Sequence, residues 1–95
     1  MIKSFGDPDT ERLFRRHSVI KFGADVPRVA LRELRMLDAA TVLEDLRIPP
    51  GNQLEKLKLK ADRAGQHSIR VNQQWRVIFH WRSGDAFDVE IVDYH

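Results

Sequence analysis

Asp93-Tyr94-His95 closes the sequence on a carboxylate, a phenol and an imidazole, directly after the alternating run from Phe87 to Val92. A carboxylate and an imidazole are proton-transfer groups, and a phenol stacks or hydrogen-bonds. If the chain ends there, His95 also carries a terminal carboxylate that favours its protonated form. Packing gives a core strand no reason to finish on three polar side chains. The choice is between a solvated, frayed end and part of an acid–base site. A second set lies upstream, where residues 54 to 76 hold Lys56, Lys58, Lys60, Arg63, Arg70 and Arg76 against Glu55 and Asp62. Guanidinium groups keep their charge and offer forked donors that suit a phosphodiester. Lysines contact a nucleic-acid backbone without reading its sequence. The alternative for this basic run is a solvated sheet whose lysines block edge pairing.

The elements that must position these groups are legible from periodicity. Ile2 to Phe5 forms a short first strand. Asp7-Pro8 is an N-cap followed by a proline at the first helical position, where no amide is needed. That helix should run to about His17 and bury Leu13 and Phe14. Pro27 starts a second helix in which Ala30, Leu34 and Leu37 recur at helical spacing. Arg28, Arg32 and Arg35 form a basic stripe on the same helix, read as a solvated face. Pro49-Pro50-Gly51 ends the helical half.

Beyond it the period becomes two. Leu57, Leu59, Ile69, Val71, Trp75, Val77, Phe79, Trp81, Phe87, Val89 and Ile91 are apolar and odd-numbered, with mostly polar residues between them. Four such strands make an antiparallel meander, one face under the helices and the even face open. The fold class is α+β, two helices on an antiparallel sheet. Loops at Asn72-Gln73-Gln74 and Ser83-Gly84-Asp85 place Arg70 opposite Arg76, Arg76 opposite Val92 and His80 opposite Asp88. Tyr94 is then a diagonal neighbour of Arg76. Like charges directly opposed are destabilising unless an anion lies over them. The three lysines should extend this cluster. His80 and Asp88 read as a surface pair, His67 as a half-buried structural residue and His17 as a helix-end cation.

Composition narrows the classes. Ninety-five residues with 42% hydrophobic and 32% charged content describe one globular domain over 1–95. The absence of cysteine removes disulfides and a thiol nucleophile. A signal peptide and a membrane-spanning run are both missing, so the cytoplasm is the expected location. There is no zinc-like spacing, glycine-rich phosphate loop or serine triad, and no metal or other cofactor is expected.

Residue for residue, the chain resembles the HigB toxins, a branch of the RelE-like superfamily of toxin–antitoxin endoribonucleases. The resemblance is carried by Met1-Ile2-Lys3-Ser4-Phe5, Leu37-Asp38-Ala39-Ala40-Thr41 and Pro49-Pro50-Gly51-Asn52 with Leu54-Glu55. It is densest from Asp62 to Asn72 with Gln74-Trp75-Arg76, and closes on Glu90 to His95. Within the family the likeness is nearest to GraT-type members. It implies a small RelE-like RNase that enters the ribosomal A site and cuts mRNA without a metal. It also implies a helix-turn-helix, HigA-like antitoxin through which operator DNA is bound. The family's terminal Asp-Tyr-His maps onto Asp93, Tyr94 and His95, and its strand arginine onto Arg76. A histidine that some members carry before the Asp-Arg turn is replaced by Leu57 or Lys58. The competing reading is a non-catalytic RNA- or ribosome-binding module that inhibits translation by occupancy.

Overall fold

Asp7 caps the first helix, α1 (Pro8–Phe14), its carboxylate accepting from the Thr10 amide at 2.7 Å and from the Thr10 hydroxyl at 3.0 Å. Thr10 Oγ1 in turn accepts from the Ile91 amide at 2.9 Å, which pins α1 to the sheet. The helix stops at Phe14 rather than His17, because Arg16 turns left-handed at φ 66°. The second helix, α2 (Val26–Ala39), buries Ala30, Leu34 and Leu37 completely and leaves Arg28, Arg32 and Arg35 exposed. These features belong to a computed structural model that describes residues 1–57 and 65–93. Lys58, Lys60, Arg63, Tyr94 and His95 lie outside the described residues, as does Leu59.

Four antiparallel strands follow in meander order: β1 (Glu55–Lys56), β2 (Gln66–Arg70), β3 (Trp75–Arg82) and β4 (Asp85–Asp93). The expected α+β arrangement is present. Ile69, Val71, Val77, Phe79, Val89 and Ile91 face Leu13, Leu34 and Leu37 in one core. The segment from Ile2 to Phe5 makes two isolated parallel bridges to β4, at Ala86 and Val89, instead of a full strand. The Ile2 amide also donates to Asp38 at 2.8 Å, tying this edge to α2. No helix among the described residues is long and apolar enough to cross a membrane.

The core carries one acidic anomaly. Glu33 on α2 is 2% exposed, and its Oε2 has no hydrogen-bond partner among the described residues. Burial pushes its carboxyl up to about 7, with Arg32 pulling weakly the other way. The folded state therefore holds the proton that the unfolded chain releases near 4.5. This contribution to stability is complete below that value and is lost as pH rises towards about 7. The loss amounts to about 3 kcal/mol, or roughly 10–25 °C in melting temperature for a domain of this size. Glu33→Gln should melt higher than the parent at pH 8 and level with it at pH 4.5. Thermal melts at the two pH values check this; a parallel pH response in both proteins would contradict it.

Candidate functional site

The β2–β3 hairpin turns as its loop residues dictate. Asn72 Oδ1 accepts from the amides of Gln74 at 2.8 Å and Trp75 at 2.7 Å, closing an Asx turn. Val71 then meets Trp75 through a 2.9 Å backbone bond. Arg70 stands directly opposite Arg76, and Arg76 opposite Val92. The parity derived from the loop length holds at this hairpin.

The expected open face does not hold. Arg76 is only 7% exposed, with Ser68 and Ile78 beside it at 0%. Its Nε donates to Ser68 Oγ at 2.8 Å, and its Nη2 donates to the Gln53 carbonyl at 2.6 Å and approaches the Ser68 carbonyl at 3.5 Å. Glu55 lies 3.8 Å from Nη2. The second face is thus roofed near Arg76 by the chain from Pro50 to Glu55, which begins with the 3₁₀ turn Pro50–Asn52. A buried guanidinium tolerates such a place only when acceptors surround it. Arg70 is half-buried, with no hydrogen bond or ion pair among the described residues. Arg70 and Arg76 therefore share one face of the sheet.

Two expectations about neighbouring residues at β1 are corrected. Lys56 does not extend the arginine cluster: Glu55 pairs with Ser68 and Lys56 with His67, so Lys56 points to the opposite face. Leu57, 7% exposed, lies on the arginine face rather than the helix face. The pairing of β1 with β2 is offset by one residue from the expected alternation, and that reverses the faces of Glu55, Lys56 and Leu57.

His80 does not meet Asp88. The hairpin turn is Ser83-Gly84 alone, with φ of 52° and 82°, flanked by the pair Arg82 and Asp85. A bulge between Ile78 and His80, with Asp88 at φ 54°, restores the original register further along. His80 consequently faces Phe87, and Ala86 takes the core place expected of Phe87. Phe87 lies under the Arg82 guanidinium at 4.3 Å. Asp88 is engaged by Ser4 instead, through Ser4 Oγ to its carboxylate at 3.4 Å and its own amide to Ser4 Oγ at 2.8 Å.

Asp93 stands opposite Trp75, whose ring packs edge-on to Phe22 in the helical layer at 5.2 Å. Alternation therefore directs Asp93 and Arg76 to different faces of the sheet. The Asp93 carboxylate accepts from Gln74 Nε2 at 3.0 Å and is exposed at the sheet's end. His67 is half-buried against Phe79, ring centroids 6.0 Å apart, as its position suggested. Desolvation first, then Lys56 and His80, lowers its pKa. It is a neutral packing residue at pH 7.

Sequence reasoning missed Ser68, Gln53, Glu55 and Asn52 around Arg76. The available signal was a small hydroxyl residue diagonal to an arginine across a hairpin, on the same face of the sheet, together with the rigid Pro-Pro-Gly-Asn corner. Neither signal specifies that the corner folds back over the sheet.

The HigB-like toxin model, described as the RelE-like toxin of type II toxin-antitoxin system HigB, matches residues 3–95. The chain is 40% identical over 91 residues to "Toxin HigB-1" of Vibrio cholerae, covering 93% of this chain and 92% of that one. It is 38% identical over 97 residues to "Endoribonuclease HigB" of Proteus vulgaris, covering both completely.

Proposed function

Because the chain belongs to the HigB-like toxins of type II toxin–antitoxin systems, we propose that it is an endoribonuclease that cuts mRNA in the ribosomal A site. The observation that carries this reading is the match along the whole chain to a relative named as an endoribonuclease. In this reading the substrate's own 2′-oxygen attacks the adjacent phosphorus and loses its proton to a base. The 5′-oxygen leaves and takes a proton from an acid. The pentacoordinate phosphorane between these events gathers negative charge that a fixed cation stabilises. No metal is needed in this scheme.

Arg76 is assigned to the phosphate with Arg70 in support, on the strength of their direct opposition. Asp93 and His95 are the proton-transfer candidates, Asp93 acting around the exposed end of the sheet because it lies on the face opposite Arg76, and Tyr94 stacks on or orients the nucleotide. Lys58, Lys60 and Arg63 are proposed RNA-backbone contacts. Lys56 could serve as one only from the opposite face of the sheet. The partner within the toxin–antitoxin system is read as a HigA-like helix-turn-helix protein that brings operator DNA to the complex, and the location as the cytoplasm.

Induction of this chain alone in bacteria should arrest growth, and co-expression of the antitoxin should relieve the arrest. Primer extension on mRNA from ribosomes incubated with the purified protein should show new 5′ ends at A-site codons. Normal growth at confirmed high expression would overturn the toxin reading. Inhibited translation with uncut mRNA would replace the nuclease with a module acting by occupancy.

A further inference from the structure

We propose that Ser68 and the Asn52–Gln53 corner form a positioning device that sets the plane of the Arg76 guanidinium. This rests on the assignment of Arg76 to the scissile phosphate. Ser68 is completely buried in the middle of β2, where packing alone would favour an apolar side chain. Its Oγ accepts from Arg76 Nε at 2.8 Å and lies 3.5 Å from Glu55 Oε1. The Gln53 carbonyl takes Nη2 of the same guanidinium at 2.6 Å. Two acceptors along one edge of a planar group fix its rotation, while Glu55, 3.8 Å from Nη2, lies near enough to supply countercharge.

The corner that presents the Gln53 carbonyl is itself held. Gln53 adopts φ 46° and ψ 55°, a left-handed conformation that a non-glycine residue keeps only when its surroundings enforce it. Asn52, 1% exposed, supplies the restraint: its Nδ2 donates to the Leu46 carbonyl at 3.1 Å, and its amide donates to Pro49 at 3.0 Å. Leu46 is part of the hydrophobic core. A continuous path therefore runs from the core through Leu46, Asn52 and Gln53 to Arg76. A side chain as long as arginine has several rotatable bonds, and this path removes that freedom before substrate arrives. Ser68 and Asn52 act through Arg76 and are positioning residues, with no direct role in the reaction.

Single-turnover cleavage on programmed ribosomes, normalised to folded protein, tests the proposal. Ser68→Ala should lower the maximal rate by roughly 10–100-fold, the scale of a misplaced catalytic group, with half-saturation almost unchanged. Ser68→Thr, which keeps the hydroxyl, should recover most of that rate. Asn52→Ala should lower the rate in the same direction and carries the test if Ser68→Ala fails to fold. In an Arg76→Ala background neither substitution should reduce the rate further, because residues that act through one group are non-additive. The Arg76 Nε–H resonance should be sharp in the parent and shifted and broadened in Ser68→Ala. A wild-type rate for folded Ser68→Ala and Asn52→Ala, beside an inactive Arg76→Ala, would overturn the positioning role and leave the Arg76 assignment standing. Equal further losses in the Arg76→Ala background would also overturn it. A fully active Arg76→Ala would instead remove the assignment on which the inference rests.

Discussion

Deleting Tyr94 and His95 should abolish mRNA cleavage while leaving the fold in place. The described part of β4 ends on Asp93, which is exposed and whose described side-chain contact is with Gln74. The core residues of the strand, Val89 and Ile91, lie further back and keep their neighbours. Removing the two residues that follow should shift melting by only about a degree or two, because the buried part of the strand is retained. If His95 transfers a proton, its loss removes roughly 10²–10⁴-fold from the rate. Loss of Tyr94 adds a stacking contribution on the order of 1–3 kcal/mol to nucleotide binding. Primer extension with the full-length and shortened proteins on the same ribosomes reads both effects. Cuts of equal strength from the two proteins would remove Tyr94 and His95 from the site.

Arg76→Ala should cost both stability and activity. The side chain is buried, and its removal leaves Ser68 Oγ and the Gln53 carbonyl without their donor. An orphaned buried acceptor costs about 1–3 kcal/mol, so the variant should melt measurably lower. Activity per folded molecule should fall further, by roughly 10²–10³-fold, the usual loss for a donor aimed at developing anionic charge. Arg76→Lys restores charge but not the fork that spans Ser68 and Gln53, and should recover only part of the rate. Cleavage measured well below the melting temperature, with the folded fraction taken from circular dichroism, separates the two losses. A melted domain whose folded fraction retains full specific activity would show that Arg76 serves the fold alone.

Local chemistry in the sequence determined more of this protein than its small size would suggest. Asp7-Pro8 names its helix start because a cap and a proline need no tertiary partner. Ala30, Leu34 and Leu37 name the buried face of α2 because helical period is intrinsic to the chain. The Asx turn at Asn72 fixes the length of its hairpin, and that length places Arg70 opposite Arg76 before any other strand is known.

What the sequence left open depends on contacts that local pattern does not encode. Alternation tells which residues share a face but not how one strand is offset from the next. The offset of β1 therefore sent Lys56 to the other side of the sheet. The two-residue turn at Ser83-Gly84 and the bulge at Asp88 are compensating register changes, and either alone would have put Val89 and Ile91 outside the core. Their compensation is enforced by burial against α1 and α2, a tertiary effect. Most consequential for the site is the roof over Arg76. A face rich in arginine and polar side chains reads as solvated, since isolated charge is costly to bury. Among the described residues, the return of the Pro50–Glu55 chain supplies a carbonyl and a carboxylate that, with Ser68, make burial tolerable. That return joins residues more than twenty positions apart in sequence, which is why tertiary structure alone decided it.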